Sequence, residues 1–204
     1  MASVKTGLFS LLLLFLFGII LEVYTTHYFM FSDPQKIIDQ LSLAPGQTVL
    51  DFGAGSGHYT LIAAQKVGAG GRIYAIDIQT DLLRRIIGMV AEKGLMNTSI
   101  ITADLEKTQS TNLKPGLADW AFVANLLFML KDKKNILSEA FRLLKPNGRL
   151  LIVDWKESFN GLGPQSEQVI KEAEVRQLAE QIGFIVQSNI EAGEHHYGLI
   201  FKKQ

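Results

Sequence analysis

Hydrophobic and polar positions divide the chain sharply in two. From Gly7 to Leu21 every residue is apolar, small or Ser10, and after Glu22 the apolar character returns as Val-Tyr-Thr-Thr-His-Tyr-Phe-Met-Phe, ending at Phe31. Beyond Ser32 short apolar runs alternate with segments of helical periodicity. Ser32-Asp33-Pro34 reads as an N-cap with an early proline, so a short helix is expected over Lys36–Leu41, ending before Pro45-Gly46. The pattern then predicts strand Thr48–Asp51, a glycine-rich turn and helix Tyr59–Val67, followed by strand Arg72–Asp77, helix Asp81–Lys93 and strand Ser99–Ala103. Next come strand Trp120–Ala124, helix Lys133–Leu144, strand Arg149–Asp154, helix Gln168–Ile182 and two strands, Phe184–Ile190 and His196–Phe201, turning at Gly193. Strand–helix alternation of this kind builds a mostly parallel sheet with helices on both faces, and runs such as Leu150–Val153 suit strands buried on both sides. The last two strands close the sheet as an antiparallel pair.

The N-terminal run is the membrane-like part of the chain. Its uninterrupted stretch gives a helix of about 22 Å, short of a hydrocarbon core of about 30 Å, whereas helix continued to Phe31 reaches roughly 37 Å. Spanning therefore leaves Glu22 near one interface, where Tyr24, His27, Tyr28 and Phe29 also settle well. We expect residues 1–31 to form a hydrophobic membrane-anchoring helix and residues 32–204 to form one domain. A cleavable signal peptide is the rival reading, with Lys5 as its charged region but no clear Ala-x-Ala site after it; a buried core helix is another. Lys5 and the terminal amine on one side and Lys36 on the other leave the orientation open.

Composition narrows the chemistry. Among 204 residues, 20 Lys plus Arg balance 20 Asp plus Glu, so no overall field draws the chain to nucleic acid. The absence of Cys removes disulfides, thiolate nucleophiles and thiolate zinc sites. His27, His58 and the pair His195–His196 show no metal-ligand spacing, so no metal is expected.

The chemistry-bearing motif is Asp51-Phe-Gly53-Ala54-Gly55-Ser-Gly57, between the first strand and its helix. Glycines there let the backbone turn tightly against a ligand at the carboxyl end of a sheet. A dinucleotide site prefers Gly-x-Gly-x-x-Gly, and the sixth position here is His58. Asp77 ends the second strand, where a carboxylate can accept both hydroxyls of a ribose, and Asp104 ends the third within reach of an adenine amino group.

These residues, in this order, resemble the class I S-adenosylmethionine-dependent methyltransferases, and the resemblance runs from about Asp33 to Lys203. It implies a Rossmann-like seven-stranded sheet with the last strand antiparallel, and S-adenosyl-L-methionine as cofactor. The glycine turn, Gly53, Ala54, Gly55 and Gly57, takes the methionine end, and Asp51 orients its amino group. Asp77 with Ile78 takes the ribose and Asp104 with Leu105 the adenine. Asn125, at the end of the fourth strand, reads on its own position either as lining the cofactor or acceptor pocket or as a cap for the segment that follows. Leu143-Leu-Lys-Pro-Asn-Gly148 and Gly183-Phe184 match the family's later landmarks. Within the superfamily the chain is similar to small methyltransferases of the ubiquinone/menaquinone-biosynthesis group.

Methyl transfer from a sulfonium needs alignment and exclusion of water more than a base, so no catalytic residue is assigned. Ala124-Asn125-Leu126-Leu127-Phe128 departs from the Asn/Asp-Pro-Pro-Tyr motif of enzymes acting on nitrogen in DNA and protein. Tyr28, Asp154, Trp155 and His196 are candidate acceptor-side residues, with Lys156 beside them; a solvated hairpin turn is the competing account of His195 and His196. A small-molecule or lipid-like acceptor is expected. Cofactor supply favours the cytoplasmic face for the domain, which places the N-terminus outside if the segment spans once. A cofactor-binding module without turnover and an NAD-dependent oxidoreductase are the alternatives, and oligomeric state is left open.

Overall fold

The computed structural model describes residues 32–159, 161 and 163–204. The expected hydrophobic helix over 1–31, its role as an anchor, and Tyr28 lie outside these residues. Among the described residues no helix is long and apolar enough to cross a membrane.

The order along the chain is α1 (Pro34–Asp39), β1 (Thr48–Phe52), α2 (His58–Val67), β2 (Arg72–Asp77), α3 (Thr80–Glu92), β3 (Thr98–Thr102) and β4 (Ala118–Ala124). A 3-10 turn (Leu127–Met129) comes next, then α4 (Lys133–Leu143), β5 (Leu144–Trp155), α5 (Glu172–Ile182), β6 (Phe184–Ile190) and β7 (His196–Lys203). Seven strands form one sheet in the order β3-β2-β1-β4-β5-β7-β6, parallel from β3 to β5, with β7 antiparallel to both of its neighbours.

Strand alternation explains the continuous apolar runs. Leu50, Phe52, Leu150 and Ile152 point to a core shared with α4 and α5, including Leu137, Ala140 and Val175. Their neighbours Val49, Leu151 and Val153 point the other way, onto Ile37 and Ile38 of α1 and Ala63, Ala64 and Val67 of α2. Two-sided burial thus requires apolar side chains at both parities. α3 covers the β2 end of the sheet through Leu83, Ile86 and Val90.

Capping is as the sequence suggested at α1, where the Asp33 carboxylate accepts from the backbone amides of Gln35 and Lys36. At α2 the last carbonyls are satisfied from a distance: Asn97 Nδ2 donates to Ala64 O at 2.9 Å and Gly68 O at 2.8 Å. Most expected boundaries shift by one or two residues, and two move further. β5 begins at Leu144 rather than Arg149, because Leu144 pairs with Ala118 before the strand bulges and resumes at Arg149 opposite Trp120. Asn147 turns that bulge with a φ of 63°. α5 begins at Glu172 rather than Gln168, whose side-chain oxygen instead accepts from Gln165 N in the preceding turn.

The strand order reverses between β1 and β4. Connections leave these two neighbours in opposite directions, which opens a crevice at their carboxyl ends.

Candidate active site

That crevice is a cavity of about 570 Å³. Its floor is the glycine turn after β1. Gly53, Gly55 and Gly57 adopt φ values of 68°, 51° and 81°, in the left-handed region where other residues are strained. Gly55 lies on the cavity wall, and a Cβ added there would meet only Gly53 O, at 3.7 Å, on the protein side, so the missing side chain leaves a cradle for a ligand. Gly57 stands apart from the cavity lining. Its Cβ would come within 2.6 Å of Ile86 Cγ1, so this glycine serves the close approach of α2 to α3.

Asp77, at the end of β2, fixes the turn. Its Oδ2 accepts from Gly55 N at 3.0 Å and its Oδ1 from Gln79 N at 2.9 Å. Each oxygen keeps a further lone pair for a ligand hydroxyl. Asp51, only 2% exposed, accepts from the Thr60 hydroxyl. Burial lifts its carboxyl from 3.8 to about 6, offset in part by that hydrogen bond. Asp104 accepts from Glu106 N and pairs with Lys107, whose hydrogen bond holds its carboxyl below the usual range.

The fourth strand contributes Asn125, held at a φ of 53° with its amide donating to Val153 O. Its Nδ2 lies 3.4 Å from Ser32 Oγ, which brings the start of the domain to the same wall. Tyr59, in the first turn of α2, lines the cavity beside them; burial, and then the Asp51 carboxylate, push its phenol above the ordinary range.

Asp51, Gly53, Ala54, Gly55, Asp77, Ile78, Asp104, Leu105 and Asn125 therefore line one cavity. Sequence reasoning did not single out Ser32 beyond its place in an N-cap, nor Tyr59, Gln79, Leu126 or Met129. Leu126 lies over the glycine turn, where a Gly53 Cβ would strike its side chain at 2.6 Å. The 3-10 turn that carries Met129 is too short to show any periodicity.

The expected acceptor-side residues of β5 and β7 sit elsewhere. Asp154 is fully buried and acts as a cap: its Oδ2 accepts from Leu127 N at 2.9 Å and its Oδ1 from Trp155 N at 2.8 Å. Burial lifts this carboxyl to about 6. Trp155 packs its ring on His196, with centroids 4.2 Å apart, and lies beneath Gly163. The solvated turn proposed for the two histidines is corrected. His195 and His196 are 4% and 1% exposed, His195 is stacked on Phe159 with its Nδ1 2.8 Å from Glu157 Oε1, and burial lowers His196 to about 4. None of Asp154, Trp155, Lys156 and His196 lines the 570 Å³ cavity. Among the described residues no group of three or more His, Asp or Glu is placed to hold a metal ion.

Charge decides what the cavity can take. Asp51, Asp77, Asp104 and Glu106 line it, and among the described residues no Lys or Arg does. A dinucleotide would set its pyrophosphate against these carboxylates, whereas a ligand carrying an ammonium and a sulfonium meets favourable charge. A family model described as a methyltransferase domain matches residues 43–203. The chain belongs to that family. S-adenosyl-L-methionine is the cofactor that membership carries, and the anionic, glycine-cradled cavity fits it.

A solved S-adenosylmethionine-dependent methyltransferase from Aquifex aeolicus superposes with a TM-score of 0.76 at 31% identity, over 86% of this chain and 92% of that one. The ubiquinone/menaquinone biosynthesis C-methyltransferase of Vibrio parahaemolyticus is 31% identical over 163 residues, 71% of this chain and 61% of the relative. An arsenite methyltransferase of Aquipseudomonas alcaligenes is 36% identical over 118 residues, 55% of this chain and 34% of the relative. The chain thus spans only about a third to three-fifths of the length of these two curated relatives.

Proposed function

We propose that this methyltransferase acts on a membrane-associated small molecule, lipid-like or quinone-like, and that residues 7–31 hold it at the membrane with the domain on the cytoplasmic face. The observation that carries the reading is where the cavity opens. Ser32, at which the chain arrives from its long apolar segment, is part of the cavity wall, and Ile78 and Met129 on the rim are 61% and 63% exposed. An apolar acceptor held by the membrane would meet the cofactor without crossing water.

The cofactor supplies a methyl carbon already activated on a sulfonium sulfur. The protein's own residues bind and align: Asp77 fixes the glycine turn and faces hydroxyls, Asp51 offers a buried negative charge to an ammonium, and Leu126, Met129 and Leu130 keep the adjoining wall apolar. The Vibrio relative, named for C-methylation in ubiquinone and menaquinone biosynthesis, supports an apolar acceptor. Arsenite is the second reading suggested by a relative's name. A soft trivalent arsenic centre is held best by thiolates, and this chain has no Cys to offer.

The test is transfer of labelled methyl from S-adenosylmethionine by the full chain in detergent, with membrane lipid extract, water-soluble metabolites and arsenite as separate acceptors. Label entering the organic phase only with lipid extract is the expected result. Label in water-soluble products or methylated arsenic, with none in lipid, would overturn the acceptor reading. Tight cofactor binding with no transfer to any acceptor would mark a silent binding module.

A further inference from the structure

The apolar wall of the cavity is held in place from outside. Leu126, Met129 and Leu130 form it from the segment between β4 and α4, where the backbone leaves the sheet at Asn125 with a φ of 53°, makes one 3-10 turn and becomes extended at Leu130. Within the turn Met129 N donates to Leu126 O at 3.0 Å and Leu130 N to Leu127 O at 3.2 Å. Two carboxylates from elsewhere in the chain secure its ends. Asp154 Oδ2 accepts from Leu127 N at 2.9 Å, and Glu106 Oε1 accepts from Lys131 N at 2.6 Å and Asp132 N at 3.2 Å.

The two anchors differ in kind. Asp154 is part of β5 and sealed at 0% exposure. Glu106 belongs to residues 103–117, which join β3 to β4 without helix or strand, and it lies on the cavity wall together with Asp104 and Leu105. It is tied in twice more: its N donates to Asp104 Oδ1 at 3.1 Å, and its carbonyl accepts from Asn135 Nδ2, in the first turn of α4, at 2.7 Å. A connected run of hydrogen bonds therefore leads from Asp104, on the β3 side of the cavity, through Glu106 to the end of the turn that carries Met129. Backbone amides donating to a charged carboxylate are among the stronger hydrogen bonds, so order imposed on one side reaches the other.

We propose that Glu106 is a positioning residue that couples the two halves of the site. Cofactor seated against Asp104 and Leu105 fixes the loop after β3, and the Glu106 carboxylate passes that order to Lys131 and Asp132, setting Met129 and Leu130 as the wall on which the acceptor packs. Bound cofactor thus completes the acceptor surface, and the acceptor binds the loaded enzyme more tightly than the empty one. The coupling is reciprocal: the staple that cofactor tightens also tightens the hold on cofactor. This inference rests on the cofactor that family membership carries and on no particular acceptor.

Native-state hydrogen exchange on the full chain in detergent reads the staple at single amides. Saturating S-adenosylhomocysteine slows exchange at Lys131 and Asp132 at least about tenfold in the unmodified chain. In Glu106→Ala the slowing at these two amides falls below about twofold, while the Gly55 amide, which Asp77 holds across the cavity, is protected by the ligand as before. Glu106→Gln keeps a side-chain oxygen that accepts, and most of the slowing returns; this rescue separates acceptance at Oε1 from a general loosening of the loop. Asn135 still holds the carbonyl of residue 106 in both variants, so the loop stays attached to α4. By calorimetry Glu106→Ala binds S-adenosylhomocysteine about three- to tenfold more weakly and Glu106→Gln less than about threefold more weakly, as reciprocity requires. Slowing at Lys131 and Asp132 that persists undiminished in Glu106→Ala overturns the proposal. So does ligand binding to the unmodified chain that protects Gly55 and leaves these two amides unchanged.

Discussion

Asp77 and Asp154 are near twins in sequence and opposites in use. Each lies at or beside the carboxyl end of a parallel strand, and each accepts two backbone amides, Asp77 from Gly55 and Gln79, Asp154 from Leu127 and Trp155. The neighbouring loops separate them. After β2 the chain goes straight into α3 and leaves the carboxylate on the cavity wall; after β4 the 3-10 turn folds onto Asp154 and seals it at 0% exposure. The same side chain at the same edge of the sheet lines the cavity in one half and is buried as a cap in the other. An acid at a strand end therefore announces a buried turn as readily as a site.

The largest effects come from breaking the pair. Asp77→Ala removes the clamp on Gly55 and the acceptor for hydroxyls, and S-adenosylmethionine affinity measured by calorimetry falls about 100-fold. Asp154→Ala leaves that affinity within about twofold but strands the buried Leu127 amide, lowering unfolding free energy by about 1–3 kcal/mol in urea titration. If Asp154→Ala weakened cofactor binding as much as Asp77→Ala, the two halves would not be distinct in the way the geometry says.

Glycines sharpen the same contrast on a smaller scale. Gly57→Ala combines a φ of 81° with contact at 2.6 Å to Ile86, and costs about 2–4 kcal/mol of stability. Gly55→Ala meets no close protein atom, so its stability cost is about 1 kcal/mol, while its methyl group enters the cradle and cofactor affinity drops about tenfold. Thermal unfolding with and without S-adenosylhomocysteine separates the two: Gly55→Ala loses the ligand-induced rise in melting temperature, and Gly57→Ala keeps it.

The smallest effect is in pH. His196 is held down at about 4, by desolvation first and then by the neighbouring His195 and Lys156. Between pH 6.5 and 4 the unfolded chain takes up a proton that the folded chain refuses, so this group withdraws stability as the pH falls through that window and is neutral above it. Asp51 and Asp154, both lifted to about 6 by burial, act oppositely; their contribution is full below 3.8 and is lost as the pH rises through 6. His196→Phe removes only the first effect. Its stability relative to the unmodified chain rises by about 1–2 kcal/mol on going from about pH 7.5 to about pH 5, read by chemical unfolding, with cofactor affinity unchanged at neutral pH. A variant difference independent of pH would refute the neutral, buried imidazole.

Much of the architecture was legible in the chain itself. β2 and β6 fall on the residues the apolar pattern marks, because each is bounded by a turn or helix signal, Gly71 and Asp77 for one and Gly183 for the other. The glycine turn with Asp51, Asp77 and Asp104 was legible because all four lie at local junctions at the ends of strands. The early start of β5 was hidden: Pro146-Asn147-Gly148 looks like a boundary, and only pairing of Leu144 with Ala118 makes it a bulge within the strand. Burial of Asp154 and His196 was hidden for the same reason. Their covers are the turn after β4 and the loop after β5, and no local pattern reports which loop folds over which strand end.

The order of the strands carries a consequence for how the chain is made. β7 comes after β6 in the chain but lies between β5 and β6, and it supplies the second edge of β5 through the register Arg149–Lys202 to Trp155–His196. During synthesis β5 therefore waits, one edge bare, until residues 196–203 have emerged, and β6 has no partner until the same moment. An unpaired strand edge is a template for association with other chains. The interval between translation of residue 155 and residue 203 is thus when this protein is most exposed to aggregation, and stalled or shortened chains lacking β7 are the ones a cell must clear.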